Sequence, residues 1–280
     1  MNHPFPVQQS IHQRHSVRSY TGQPLSPAEL NQLKSYSQSL VNPFGVPVRF
    51  HFLEHQTAAE GEKLGTYGVI KGASAFVAAT IPPKPLALEA LGYSLEALLL
   101  YATSLGLGSC WLGGTFDRSG FADAIHLVEA ELLPVISPLG HPRDKRSPGD
   151  KIARWLARSD QRLPWDRLFF DQTFSQPLTE ARAGRYATAL ALLRLAPSAA
   201  NRQPWRVLKL GQTFHFYEQQ SMKEGRQGVD IQKVDLGIAA CHFGLCLEEQ
   251  QIAGSFICAT DGQAEAPPHT YYRFSWQARE

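Results

Sequence analysis

Two short strings carry the residue types that could do chemistry in this chain. Arg14-His15-Ser16-Val17-Arg18 places two guanidinium groups and a hydroxyl on alternate positions. On an extended backbone such positions share a face, about 7 Å apart per step of two. The planar fork of arginine suits a phosphate there. Taken alone, the same string also reads as an exposed basic strand. Ala196-Pro197-Ser198-Ala199-Ala200-Asn201-Arg202-Gln203-Pro204-Trp205 is more specific. Its two prolines fix a loop, its small residues let the backbone approach a flat ring, and Ser198 and Asn201 supply hydrogen-bond donors.

Other strings exclude chemistry. Gly106-Leu107-Gly108-Ser109-Cys110-Trp111-Leu112-Gly113-Gly114 lacks the last glycine of a G-x-G-x-x-G frame and follows a helix, so it is no dinucleotide fingerprint. It is not G-x-S-x-G, so Ser109 is no nucleophile-elbow serine. Tight packing of a helix on a strand is its plain reading. His51-Phe52-Leu53-Glu54-His55 matches a zinc-protease pattern that needs a helix, but Val48, Phe50 and Phe52 alternate as in a strand. Four strand residues span about 13 Å, too far for two ligands at about 2 Å each from one zinc. No metal site is expected. Cys110, Cys241, Cys246 and Cys258 sit in apolar contexts without a C-x-x-C pair, and read as buried reduced thiols.

The elements that must position these strings follow from pattern. Ser26-Pro27-Ala28-Glu29 starts a helix with a capping box, running to about Leu40. Val48 to Glu54 and Ala75 to Ile81 read as strands, the latter central; Leu88 to Leu105 as a long helix ended by Gly106; Ser109 to Leu112 and Pro134 to Leu139 as strands. Thr179 to Leu195 reads as a helix, Trp205 to Leu210 and Phe214 to Tyr217 as a hairpin around Gly211-Gln212. Val234 to Gln250 follows as a second long helix, and Ser255 to Ala259 and Tyr271 to Trp276 as closing strands. Helices and strands mix without strict alternation, which favours α+β layering.

The two halves of the chain repeat each other. Pro24-Leu25-Ser26 recurs as Pro177-Leu178-Thr179 (177 − 24 = 153), Pro47-Val48-Arg49-Phe50 as Pro204-Trp205-Arg206-Val207 (204 − 47 = 157), and Gly92 as Gly237 (237 − 92 = 145). The polar, basic stretch 143–162 is the expected linker between a first half, 1–150, and a second, 163–280. With 19% charged residues and a net charge of +2, no basic field for nucleic acid or anionic membrane is present. The apolar stretch Leu86 to Gly114 carries Glu89 and Glu96 on nearly one helical face, which favours a buried helix over a membrane span. Met1 to Ser10 has no apolar h-region, so a cytoplasmic protein is expected.

Both chemical strings resemble FMN-binding motifs of the nitroreductase family, where they come from different subunits of a dimer and meet at one flavin. The chain resembles the single-chain branch of that family, a nitroreductase-like α+β pseudo-dimer with one FMN site between its halves. The resemblance implies that Arg14, Ser16, Lys145 and Arg146 hold the phosphate, that His15 belongs to the cofactor-binding set, and that Arg18 lies at flavin N1 and O2. It further implies that the backbone N–H groups of Leu112, Gly113 and Gly114 lie near N5, and that Pro197, Ser198, Asn201 and Gln203 cover the ring. Gly140-His141-Pro142-Arg143-Asp144-Lys145-Arg146 resembles the family's glycine-aromatic-proline turn with trailing basic residues; which of Arg143, Lys145 and Arg146 points inward is open. The implied activity is transfer of electrons from NAD(P)H to a small acceptor such as a nitroaromatic or quinone, by a monomer, with no catalytic acid or base. Non-turnover flavin binding, reductive dehalogenation and flavin fragmentation are the alternatives. Positions 42–47 have lost the Pro-Ser-Asn-Gln pattern, and Asp171 to Gln176 stands where Arg14 to Arg18 would be, so the symmetry-related second site is expected to be dead.

Overall fold

The computed structural model describes residues 3–54, 65–143, 161–225, 228–258 and 265–279. Its first half contains α1 (Val7–Gln13), α2 (Pro27–Ser39), β1 (Arg49–Glu54), β2 (Ala75–Ile81), α3 (Ala87–Ser104), β3 (Gly108–Ser109), α4 (Arg118–Ala124) and β4 (Leu132–Gly140). The second contains β5 (Phe169–Asp171), β6 (Thr173–Pro177), α5 (Glu180–Ala183), α6 (Ala187–Arg194), β7 (Trp205–Leu210), β8 (Thr213–Gln219), α7 (Ile231–Glu249), β9 (Gly254–Ile257) and β10 (Thr270–Ala278).

Each half builds the same sheet. The first is ordered β1-β2-β4-β3 and the second β6-β5-β7-β8-β10-β9. Matching β1, β2, α3, β3, β4 to β7, β8, α7, β9, β10 reproduces both chain order and strand order, and all of these pairings are antiparallel. The second sheet is then extended by β5, which runs parallel to β7, and β6. The α+β reading and the two similar halves therefore stand, with one parallel pair that the pattern did not announce. β2 is buried along its whole length, and its sequence is apolar but for Thr80.

The halves meet where α3 crosses α7, and glycine permits it. A Cβ on Gly92 would stand 2.1 Å from the carbonyl oxygen of Val234, and one on Gly237 2.0 Å from that of Glu89. These two contacts are related by the same offset as the repeat, 234 − 89 = 237 − 92 = 145, so the crossing lies on a local two-fold.

Ser26 and Glu29 form the expected capping box on α2. The helix expected over 179–195 is broken at Gly184, whose φ of 57° lies in the left-handed region, leaving α5 and α6. Cys110, Cys241 and Cys246 are buried, but Cys258 is exposed; it falls just past the end of β9, where the chain has left the core. Among the described residues no helix is long and apolar enough to cross a membrane, and no group of side chains could hold a metal ion. His51 lies in strand β1, its Nε2 3.1 Å from the Thr80 hydroxyl; His55 lies outside the described residues.

Candidate functional site

The arginine string begins where α1 ends. Arg14 is the C-cap of α1, its amide donating to the Ser10 carbonyl, and the chain then turns extended. Ser16 bridges Ser109 of β3 in parallel, with the Val17 amide donating to the Ser109 carbonyl at 2.8 Å. Val17 points inward and packs on Gly108, where a Cβ would come within 2.9 Å of it. Ser16 and Arg18 take the alternate positions, as period two dictates. The Cys110 thiol lies beside the Ser16 hydroxyl and near both arginines; burial pushes it up, and Arg18 and Ser16 only partly offset this. Further along, Tyr20 bridges Pro142 and the Arg143 amide donates to the Ser19 carbonyl, which anchors the start of the basic stretch beside the arginine string. Lys145 and Arg146 lie outside the described residues. His15 is exposed, its Nδ1 3.0 Å from the Gln13 carbonyl.

Arg14 is more deeply held than an exposed phosphate ligand. Its side chain is 5% exposed and its Nε lies 3.2 Å from Oε1 of Glu96, which is 0% exposed. The same carboxylate accepts from Trp111 Nε1 at 2.7 Å and faces His242 Nε2 at 2.9 Å. Burial pushes the Glu96 carboxyl up, but Arg14, His242 and Trp111 outweigh it, so the group ends below the usual carboxylate range and is ionised. The Arg14 Nη1 and the Ser109 hydroxyl are buried with no hydrogen-bond partner among the described residues. Buried donors of this kind are normally satisfied. An anionic group with several acceptor oxygens fits them.

Beyond Trp111 the chain reaches the glycines. The Leu112 amide is committed to the Ile136 carbonyl, and Ile136 donates back, both at 3.0 Å. This corrects the expectation for Leu112, whose N–H is spent in the sheet. The amides of Gly113 and Gly114 make no backbone hydrogen bond among the described residues. Gly113 packs against the second half: a Cβ there would lie 3.0 Å from Cδ1 of Ile231, in the first turn of α7.

The proline loop of the second half is closed by its own side chains. The Ser198 hydroxyl accepts from the Gln203 amide at 2.9 Å, Gln203 Nε2 donates to Oδ1 of Asn201 at 3.2 Å, and Gln203 Oε1 accepts from the Leu163 amide at 2.8 Å. Ala200, Asn201 and Gln203 have φ values of 48°, 54° and 48°. Three non-glycine residues in the left-handed region are strained, and such strain gathers at functional sites. The Ala199 amide donates to both oxygens of Asp235, at 3.0 and 3.1 Å. Burial holds the Asp235 carboxyl well above the usual range, the Ala199 contact opposing.

Ile231 and Asp235 are one turn apart on the same face of α7, about 6 Å. Gly113 from the first half and the Ala199 loop from the second therefore sit side by side on that face. Sequence reasoning missed the residues that achieve this: Glu96, Trp111, His242, Ile231 and Asp235. Only Glu96 left a signal, as a carboxylate inside an apolar helix.

The counterpart positions are built differently. Asn42 Nδ2 donates to the Val46 carbonyl and the Phe44 amide to Asn42 Oδ1, folding 42–46 back on itself. Asp171 is buried in an ion pair with Arg182. A broad cleft of about 810 Å³, lined by Lys34, Asn42, Arg49, His51 and Ser94, lies at this counterpart and not at the arginine string. Its volume reflects its open shape; the strained loop, buried cations and free amides mark the other location as the candidate site.

The chain was compared with known proteins. A search of curated proteins found no match. A crystal structure of a "putative nitroreductase" from Thermotoga maritima is 18% identical, covering 99% of this chain and 95% of that one, with a TM-score of 0.60. At that identity the likeness shows the fold, over the whole chain. A nitroreductase family protein from Clostridium novyi is 18% identical over 50% of this chain and 86% of that one, with a TM-score of 0.42. An FMN-dependent nitroreductase from Clostridium difficile is 15% identical over 51% and 92%, with a TM-score of 0.40. The family model described as "Putative TM nitroreductase" matches residues 6–246, most of the chain. The protein thus belongs to this nitroreductase family of oxidoreductases.

Proposed function

We propose that the protein binds one FMN between its halves and uses it to pass electrons from NAD(P)H to a small acceptor such as a nitroaromatic or quinone. Arg14 and Ser16, joined by Lys145 and Arg146, hold the phosphate. Arg18 stands at the pyrimidine edge, where positive charge favours the reduced ring. Gly113 and Gly114 offer their amides to the ring, and Pro197, Ser198, Asn201 and Gln203 cover it. When bound, the flavin supplies the redox chemistry; the protein binds, orients and tunes it. No side chain is assigned a proton-transfer role. The observation that carries this reading is the meeting of Gly113 and the Ala199 loop on one face of α7. The test is the visible spectrum of the purified protein, with the cofactor released by denaturation and compared with standards. FMN bleached by NAD(P)H is expected. Recovery of FAD, or no flavin after reconstitution with FMN, overturns the cofactor assignment; bound FMN that NAD(P)H leaves oxidised overturns the activity.

A further inference from the structure

The carboxylate of Glu96 touches the arginine string, the glycine string and the second half at once. It takes Arg14 Nε from the end of α1, Trp111 Nε1 from the segment leading to Gly113, and His242 Nε2 from α7. The other ring nitrogen of His242, Nδ1, faces the Leu192 carbonyl at 3.0 Å. Both ring nitrogens therefore face oxygen atoms, one on α3 and one on α6. Glu96 thus joins Arg14 and His242, all three with side chains buried, in one polar set.

Such a set is costly to bury unless its donors find acceptors. Arg14 is the member with unused donors: its Nε faces Glu96 at 3.2 Å as an ion pair, and neither Nε nor Nη1 makes a hydrogen bond among the described residues. Held by the inner edge, a guanidinium presents its outer edge in one orientation; unheld, it would adopt many. We propose that Glu96 is a positioning residue: it aims Arg14 at the cofactor's phosphate and, through Trp111, sets the place of the Gly113 and Gly114 amides. This rests on the FMN reading. His242 makes the second half part of the same device, so the arginine string is aligned to the half that covers the ring.

The test is a double-mutant cycle read by FMN titration of apo-protein: the parent chain, Glu96→Gln, Arg14→Ala and the double variant. Glu96→Gln should weaken FMN binding by about tenfold to a hundredfold, as loss of hydrogen bonds to a charged group does. It should also shift the visible absorption of the FMN that remains bound, because Trp111 and the glycines move. In the Arg14→Ala background, Glu96→Gln should weaken binding by clearly less than in the parent chain, since no guanidinium is left to aim and only the contact through Trp111 remains. Glu96→Asp keeps the charge and, should Glu96→Gln fail to fold, serves in the same cycle. Effects of the two single substitutions that multiply, with an unshifted flavin spectrum, overturn the role of Glu96 while leaving FMN binding intact. A parent chain that takes up no FMN overturns the cofactor reading and this inference with it.

Discussion

At the scale of single residues, the buried charges decide behaviour. Glu89 opens α3 against the helix crossing, and burial pushes its carboxyl up to about 7 despite the opposing pull of its own backbone hydrogen bond, Arg273 and Lys233. The folded form therefore binds this proton more tightly than the unfolded chain, whose value is near 4.5. Stability from this group is full below about pH 4.5 and is lost as pH rises towards 7, by about 3 kcal/mol at most at 1.36 kcal/mol per unit. Glu89→Gln should remove that slope, so denaturant unfolding at pH 5 and pH 8 should differ less in the variant than in the parent. An unchanged difference would mean that Glu89 is solvated. Arg18 makes a second residue-scale prediction. Arg18→Ala should retain FMN but lower its midpoint potential, because a cation beside the reduced ring is gone; an unchanged potential would displace Arg18 from the ring edge.

Elements carry the fold through a crossing that tolerates no side chain. Gly92→Ala and Gly237→Ala each drive a methyl into a backbone carbonyl that cannot move without its helix. Each should cost about 1–3 kcal/mol, the usual range for overpacking, and the double variant should cost less than the sum because one shift relieves both clashes. Gly114→Ala, which has open space, should leave thermal stability unchanged and serves as the control; equal losses in all three would refute the close crossing. Though not the crossing that it permits, the recurrence of Gly92 in Gly237 was legible beforehand as a sign of the repeat. So were β2, the β7–β8 hairpin and both long helices, because apolar runs and turn residues mark them locally. What was not legible depends on distant partners. The polar helix α1 forms by docking, with its Val7 and Gln8 amides donating to Glu249 of α7. Strand β5 is only three residues long and exists through its parallel pairing with Phe169 against Val207. The commitment of the Leu112 amide to Ile136 follows from sheet register, which no string in the sequence announces. The arginine string and the proline loop could be read from residue types, whereas the Glu96 contacts that join them could not: Arg14, Trp111 and His242 lie far apart in sequence.

For the whole molecule, duplication has consequences that a symmetric dimer does not allow. An isologous interface repeats every contact, so a dimer of identical chains carries two equal sites. Here one chain supplies both sheets and the crossing, and the two halves have diverged: the arginine string and strained loop occur once each, while 42–46 has folded on itself and the sequence counterpart of the arginine string carries the Asp171–Arg182 ion pair beside β7. The expected assembly is a monomer with a single site completed within the chain. Ser198→Ala and Asn201→Ala should then weaken the same FMN that Arg14→Ala weakens, although the residues lie in opposite halves. The most direct measurement is a titration of apo-protein with FMN, with the mass of the complex followed by light scattering. One FMN per 280-residue chain, bound by a monomer, is the result this account predicts. Two flavins per chain, or a monomer that binds none until it dimerises, would contradict it.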